Sequence, residues 1–480
     1  MAHVKSVPFF FNNKVGYMNT DTERKSKLIL KDKPIWKGIV SLAFPVFLAN
    51  IFKTLHDLVD AYFLGQLGDS TAASEMQGAI GLTWPIFFVF LSFGMGISVA
   101  GNALIGQYIG KKDYVNARKY ATNVVYIAIV LGVVFTLFAY ILAPTILGWM
   151  GVDGNKLDYA ITYLRIRSFE LVILFLTFAF QAVRRATGDT ITPVLVSSFA
   201  ILMNIILTPI LVLYLDMGIF GAGLATLLAN VIILPITIIL LVKNKKGISV
   251  KFKVSHINVP IIKDIFTIAL PASSGQSIQA VGFIILQAFI ENFGIAVTAF
   301  YLGNRINSLV MFPVSSISTI IAVYVAQNIG AGNIGRAKSA IKQGMVMSVG
   351  LMIFGVLLIL PFREGLVRIF SDDTEAIALA VEYMMFVAIS LPFMAVFQVF
   401  LSTFQGSGDT KFSFWLSLIR LWAFRLPLVY IMITYTNLGP TGIWISMLIS
   451  NVLAVFVGLV LYTRVKFIPK IKLSKQIEEI

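Results

Sequence analysis

The chain has 480 residues, 58% of them hydrophobic and 13% charged, with no cysteine and a formal charge of +15. A soluble protein carries about 25% charged residues to wet its surface. This chain lacks that surface, which excludes an ordinary soluble enzyme, and the missing cysteine excludes disulfides.

In chain order, residues 1–37 form a mostly polar segment with eight Lys and Arg and no signal-peptide pattern, so the first span would itself direct insertion. Apolar runs then follow one another to residue 463. Tyr120–Ala143, Ile191–Leu215 and Gly223–Val242 contain no charged residue. About 20 residues of helix cross a bilayer, and barrel strands would alternate in polarity. The pattern therefore predicts twelve transmembrane helices near 38–65, 77–106, 119–148, 158–184, 190–215, 219–243, 264–291, 296–327, 338–361, 376–404, 411–436 and 440–463. The expected class is an all-α integral membrane protein. Its lobes would be 38–243 and 264–463, joined by a basic linker, 244–263, and followed by a tail, 464–480.

The basic residues concentrate in alternate connections. The N-terminal segment, 106–119, 243–263, 336–342, the tail, and Arg184, Arg185 and Lys411 together hold 29 of the 38 Lys and Arg. By the positive-inside rule these parts and both termini are cytoplasmic, in a multi-pass protein of the plasma membrane. A nucleic-acid partner would need one basic patch, and none is present.

The halves repeat. GQYIGKKDYVNARK at 106–119 aligns with AQNIGAGNIGRAKS 220 residues later, and RATGDT at 185–190 aligns with QGSGDT at the same offset. MGIFGAGLATLLAN at 217–230 matches LGPTGIWISMLISN at an offset of 221. Six spans precede the second copy, so both copies enter the membrane in the same sense, as a parallel pseudo-two-fold repeat.

Within the first span, IFKTLHDLVDAYF at 51–63 places Lys53, Asp57 and Asp60 at i, i+4 and i+7, with His56 four residues before Asp60. A charge at mid-bilayer costs at least about 2.5–3.5 kcal/mol, so such residues are tolerated only against protein or water. One reading is a structural Lys53–Asp57 pair beside a working Asp60. The other is a proton-responsive cluster of all four, since burial raises a carboxylate's pKa and histidine titrates near neutrality. Glu170 in RSFELVILF either pairs with Arg165 or Arg167 or supplies an acid to the same region. Arg305, Arg420 and Arg425 read as structural pairs or a cytoplasmic-side gate, with substrate contact as the alternative. Three histidines and no cysteine rule out most metal clusters, leaving at most a Na⁺ at the Asp60 site. The glycine-rich turns lack the phosphate-loop lysine, so an ion gradient rather than ATP is expected as the energy source. No cofactor is expected.

The chain resembles the multidrug and toxic compound extrusion (MATE) family of cation-coupled antiporters. The resemblance is carried by Pro45 to Asp60 running into LVDAYFLGQLG, by the Q-x-x-G turns at 107–110 and 327–330, by the G-D-T turns at 188–190 and 408–410, and by NIILTP and GNRINSLVMFP. It covers about residues 35–465 and looks closest to the DinF-like branch. It implies two six-helix lobes around a cleft and a cation-coupling site formed by Asp60, Asn204, Thr208 and Thr226. The branch pattern N-x-x-x-D-P has Thr208 in place of its acid, so a Na⁺ at Asp60 would find one carboxylate instead of two, which favours H⁺. In the second half Gln276 and Gln279 stand where another branch carries a carboxylate, and Leu286 matches Asp60.

The expected function is a monomeric secondary antiporter exporting amphipathic, often cationic small molecules. A lipid or glycolipid flippase is the alternative, its phosphate held by the C-lobe arginines. A non-transporting scaffold or receptor is the third reading, and the buried acids argue against it.

Overall fold

The computed structural model describes residues 20–31, 34–65, 70–150, 153–243, 247–252, 257–369 and 373–471, without the side chains of 20, 21, 24, 56–62, 64, 65, 70–75 and 77. Among these residues the chain is helical throughout its spans. The first half comprises α2 (Ile35–Gly65), α3 (Ser70–Gly110), α4 (Tyr114–Trp149), α5 (Gly154–Ser168), α6 (Glu170–Ala186), α7 (Ile191–Pro209) and α8 (Gly218–Val242), preceded by a short α1 (Thr20–Leu30). The second half comprises α9 (Val259–Glu291), α10 (Ala296–Gly330), α11 (Ile334–Arg368), α12 (Thr374–Ser407), α13 (Thr410–Leu418), α14 (Leu426–Tyr435) and α15 (Pro440–Arg464). Eleven helical stretches are long and apolar enough to cross a membrane, and α5 with α6 makes a twelfth if the bent pair is one span. In hydrocarbon every backbone group must be satisfied within the protein, which is why the spans are helices.

Three local features differ from unbroken spans. The fourth span, expected as one helix over 158–184, bends by 44° between α5 and α6. The Phe169 N–H turns back to the Ile166 carbonyl at 3.2 Å, and the Ser168 carbonyl accepts the Thr136 hydroxyl at 2.8 Å. That side-chain donor satisfies the backbone group a kink would otherwise orphan. The fifth and eleventh spans each widen into a π-helical stretch, Ile210–Tyr214 after Pro209 and Ile419–Arg425 before Pro427. Such stretches often mark functional segments of a helix.

α1 lies in the mostly polar segment that precedes the first span. Thr22, Ser26 and Ile29, at i, i+4 and i+7, form its buried face. It joins the halves: Lys25 pairs with Asp189 at 3.4 Å, while the Leu28 carbonyl accepts from Tyr324 at 3.2 Å and the Ile29 carbonyl from Arg336 at 2.8 Å.

The halves interlock. α2 packs against α10 of the second half, and α9 packs against α3 of the first. At the basic-loop end, α3 and α10 cross with their backbones touching. Any side chain at Gly110 would strike the Gln327 carbonyl, and one at Gly330 the Gln107 carbonyl. Gln107 donates to the Ser407 carbonyl at 3.2 Å, and Gln327 to the Ala186 carbonyl at 2.7 Å. The two Q-x-x-G turns are thus one two-fold closure. Each helix ends in the same C-terminal motif: Lys112 N–H to Ile109 and Asp113 N–H to Tyr108 in one, Gly332 N–H to Ile329 and Asn333 N–H to Asn328 in the other.

Candidate functional site

A cavity of 510 Å³ within the first half lies among α2, α3, α5, α6, α7 and α8. Its polar wall is built by helical periodicity. Asn204 and Thr208 sit four apart on α7, and Thr226 and Asn230 four apart on the facing α8. The Thr208 hydroxyl donates to Asn204 Oδ1 at 3.2 Å, and Asn204 Nδ2 donates to Thr226 Oγ1 at 3.1 Å. Thr226 donates to the Ala222 carbonyl at 3.1 Å. Asn230 Nδ2 then reaches both the Thr226 carbonyl at 3.0 Å and Glu170 Oε1 at 2.9 Å. Glu170 Oε2 completes the ladder on Arg167 at 3.0 Å, and that guanidinium lies 4.8 Å from the centre of the Phe87 ring.

Glu170 is 3% exposed and stands in the first turn of α6. A carboxylate there is stabilised by the free amides of the helix N-terminus. It is paired with Arg167, and through Asn230 it is also tied to the Asn204–Thr226 pair.

From α2, Asn50 and Lys53 line the same cavity. The side chains of His56, Asp57 and Asp60 lie outside the described residues, so the Lys53–Asp57 pair and the contacts of Asp60 do too. Asn204, Thr208 and Thr226 are brought together, joined by Asn230, which the sequence reading missed. The signal was present: Asn230 closes the repeat block whose counterpart ends in Asn451.

The second-half residues do not form one site. Arg425 is 2% exposed and donates to Ser450 at 2.9 Å and Asn451 at 2.6 Å. Arg420, also 2% exposed, lies 4.0 Å from the Phe397 ring centre and donates to Gln279 at 3.2 Å and to the Met394 sulfur at 3.0 Å. Gln279 in turn donates to Ser417 at 3.0 Å. All of these contacts are made within the second half, between α9, α12, α15 and the stretch from α13 through Ile419–Arg425. Gln276 instead lines a separate cavity between the halves. Arg305 is exposed on α10, roughly 37 Å along the helix from the Gly330 closure at 1.5 Å per residue, so it is no part of a gate at the basic-loop end.

Among the described residues no group of His, Cys, Asp or Glu could hold a metal ion.

Repeated spans crossing at one end beside cavities with polar groups in their walls fit a membrane transporter, a carrier rather than an enzyme. The family model described as MatE matches residues 45–210 and again 271–431, once in each half, and the chain belongs to the MATE family. The "Probable multidrug resistance protein YoeA" of Bacillus subtilis is 26% identical over 428 residues, covering 87% of this chain and 91% of its own length. The "Multidrug export protein MepA" of Staphylococcus aureus is 26% identical over 434 residues, covering 89% and 93%. Among solved structures, one described as the outward-facing conformation of a multidrug resistance MATE family transporter of the MOP superfamily superposes with a TM-score of 0.85 at 24% identity, over 92% of this chain and 98% of its own. A MOP superfamily transporter from Pyrococcus furiosus gives 0.86 at 24% identity over the same shares. At that identity the likeness is one of fold.

Proposed function

We propose that the chain is a multidrug efflux antiporter, exporting amphipathic, often cationic compounds against an inward flow of H⁺ bound in the first half at Asp60. The ladder from Thr208 through Asn204, Thr226 and Asn230 to Glu170 carries this reading, because its members Asn204, Thr226, Asn230 and Glu170 line a cavity large enough for a small molecule. The cavity-lining face of α2 carries Asn50 and Lys53, and a seven-residue step along that helix leads from Lys53 to Asp60. The names of YoeA and MepA agree with multidrug export.

H⁺ is favoured over Na⁺ on the chemistry of the ladder. A Na⁺ would draw on a second carboxylate, and Thr208 stands where the branch pattern has one. A proton needs a single carboxylate. In this reading the basic loops and both termini face the cytoplasm, and the Gly110–Gly330 crossing is the inner closure of an outward-open state. Assignment to the DinF-like branch rests on Asp60, Asn204 and Thr226 alone.

The test is export of ethidium from proteoliposomes under a pH gradient and a Na⁺ gradient imposed separately. Export should follow the pH gradient and collapse with a protonophore. Export driven by Na⁺ at symmetric pH would overturn the proton assignment, and no export under either gradient would overturn the antiporter reading.

A further inference from the structure

A second cavity of 270 Å³ lies between the halves, lined on α3 by residues from Met95 to Asn102 and on α10 by residues from Ser315 to Ala322, ahead of the Gly110 and Gly330 crossing. α3 and α6 of the first half and α9, α10 and α12 of the second contribute to its wall. Phe178, Gln181 and Arg185 line both this cavity and the larger one, so the two share a partition. The wall is rich in neutral hydrogen-bonding groups, including Gln181, Gln276 and Gln398, and Arg185 is its one charged side chain among the described residues.

Two observations point to a ligand. Asn102 Oδ1 and Ser318 Oγ both belong to the wall and are buried with no hydrogen-bond partner among the described residues. Ser318 is only 6% exposed. Buried polar atoms are nearly always satisfied, so an orphan pair facing one cavity marks positions left for a guest or its water. In addition, Arg185 forms no ion pair among the described residues, whereas the neighbouring Arg184 is held by Asp189 at 3.5 Å and by the Leu240 carbonyl at 2.7 Å. Arginine presents a planar fork that matches a carboxylate or phosphate.

We propose that this cavity binds the anionic end of a substrate, a carboxylate or phosphate carried on a compound with further hydrogen-bonding groups, with Arg185 as its counter-charge and Ser318 and Asn102 as its neutral contacts. The proposal takes the transporter reading as its starting point and widens the substrate class to zwitterions and organic anions. Among the described residues Lys53, Arg167 and Glu170 are the other ionisable side chains lining the adjoining cavity, so a zwitterion could set its cationic part toward Glu170 and its anionic part on Arg185.

The test uses the purified full-length protein in detergent, without any gradient. Binding of phenyl phosphate and benzoate is compared with that of benzyltrimethylammonium, a cation of similar size, by calorimetry and thermal stabilisation. The wild type should bind the anions, and Arg185→Gln should weaken them about tenfold or more while leaving the cation unchanged or tighter, because a charged hydrogen bond is lost. A merely structural Arg185 would weaken both signs alike, and that result overturns the proposal, as does wild-type protein that binds no anion. If Arg185→Gln does not fold, Ser318→Ala keeps the charge and removes one contact; anion affinity unchanged there places the anion elsewhere and also overturns it. Failure of ethidium export in vesicles, with anion binding intact, would count against the multidrug reading alone.

Discussion

The clearest contrast in the molecule is between two equivalent asparagines. Asn230 and Asn451 close matching repeat blocks and occupy corresponding places on the sixth and twelfth spans. Asn230 uses its amide nitrogen to hold Glu170, and Asn451 uses its amide oxygen to hold Arg425. Arg425 itself falls 221 residues after Asn204, and Met447 stands where Thr226 would be. One scaffold therefore carries an acid-bearing ladder opening on a cavity in one half and a buried cation fastened to neutral groups in the other. Charge type alone does not separate the two halves. Partners and access to a cavity do.

The strongest way to break the comparison is Asp60→Asn. Its second-half match, Leu286, is fully buried in an apolar core and offers no reserve acid. We expect gradient-driven ethidium export to vanish in proteoliposomes while the protein still accumulates and melts normally. Full transport by this variant would move the coupling site elsewhere.

Next in size is stability at the two asparagines. Asn451→Leu leaves the buried Arg425 guanidinium only the neutral Ser450 and should cost about 2–3 kcal/mol, the upper range for a lost hydrogen bond to a charge, whereas Asn230→Leu leaves Glu170 its counter-charge Arg167 and should cost about 1–2 kcal/mol. Adding Arg425→Met to Asn451→Leu should restore most of the loss. Tryptophan fluorescence melts in detergent read all three, and equal losses at both asparagines would erase the distinction.

The smallest effect concerns the closure. Lys112 (φ 65°) and Gly332 (φ 75°) hold the same left-handed position in the two turns. A side chain there costs about 1–2 kcal/mol, offset by about 0.5–1 kcal/mol of glycine's entropy. Lys112→Gly should therefore raise stability by about 0.5 kcal/mol, and Gly332→Lys should lower it similarly. A melting point that falls in Lys112→Gly would show that the lysine side chain contributes contacts beyond the backbone.

The spans and the repeat were legible because hydropathy runs and fixed-offset blocks are local signals. Asn204, Thr208 and Thr226 came from family likeness, and the structure joins them. What escaped was long-range. Arg185 was counted with the loop charges of the basic end, since nothing in RATGDT tells that it faces a cavity between halves. The kink at Phe169 depends on Thr136, a donor from another helix. α1 escaped because its buried face is short and half polar, and its partners Asp189, Tyr324 and Arg336 are all far along the chain. Arg420 and Arg425 looked like candidates for solute contact because sequence shows a charge in an apolar run but not the amide or sulfur that takes it.

The placement of α1 also sets an order of assembly. The Leu28 carbonyl waits for Tyr324, 296 residues further on, and at about 5–20 residues synthesised per second that interval is roughly 15–60 s. During that time the helix can settle only on the first half, through Lys25 and Asp189. Its second anchorage exists only once the eighth span is in place, so docking of this short helix is a late event in biogenesis. A ribosome-bound chain stopped before residue 324 should leave it open to protease, and a finished chain should shield it.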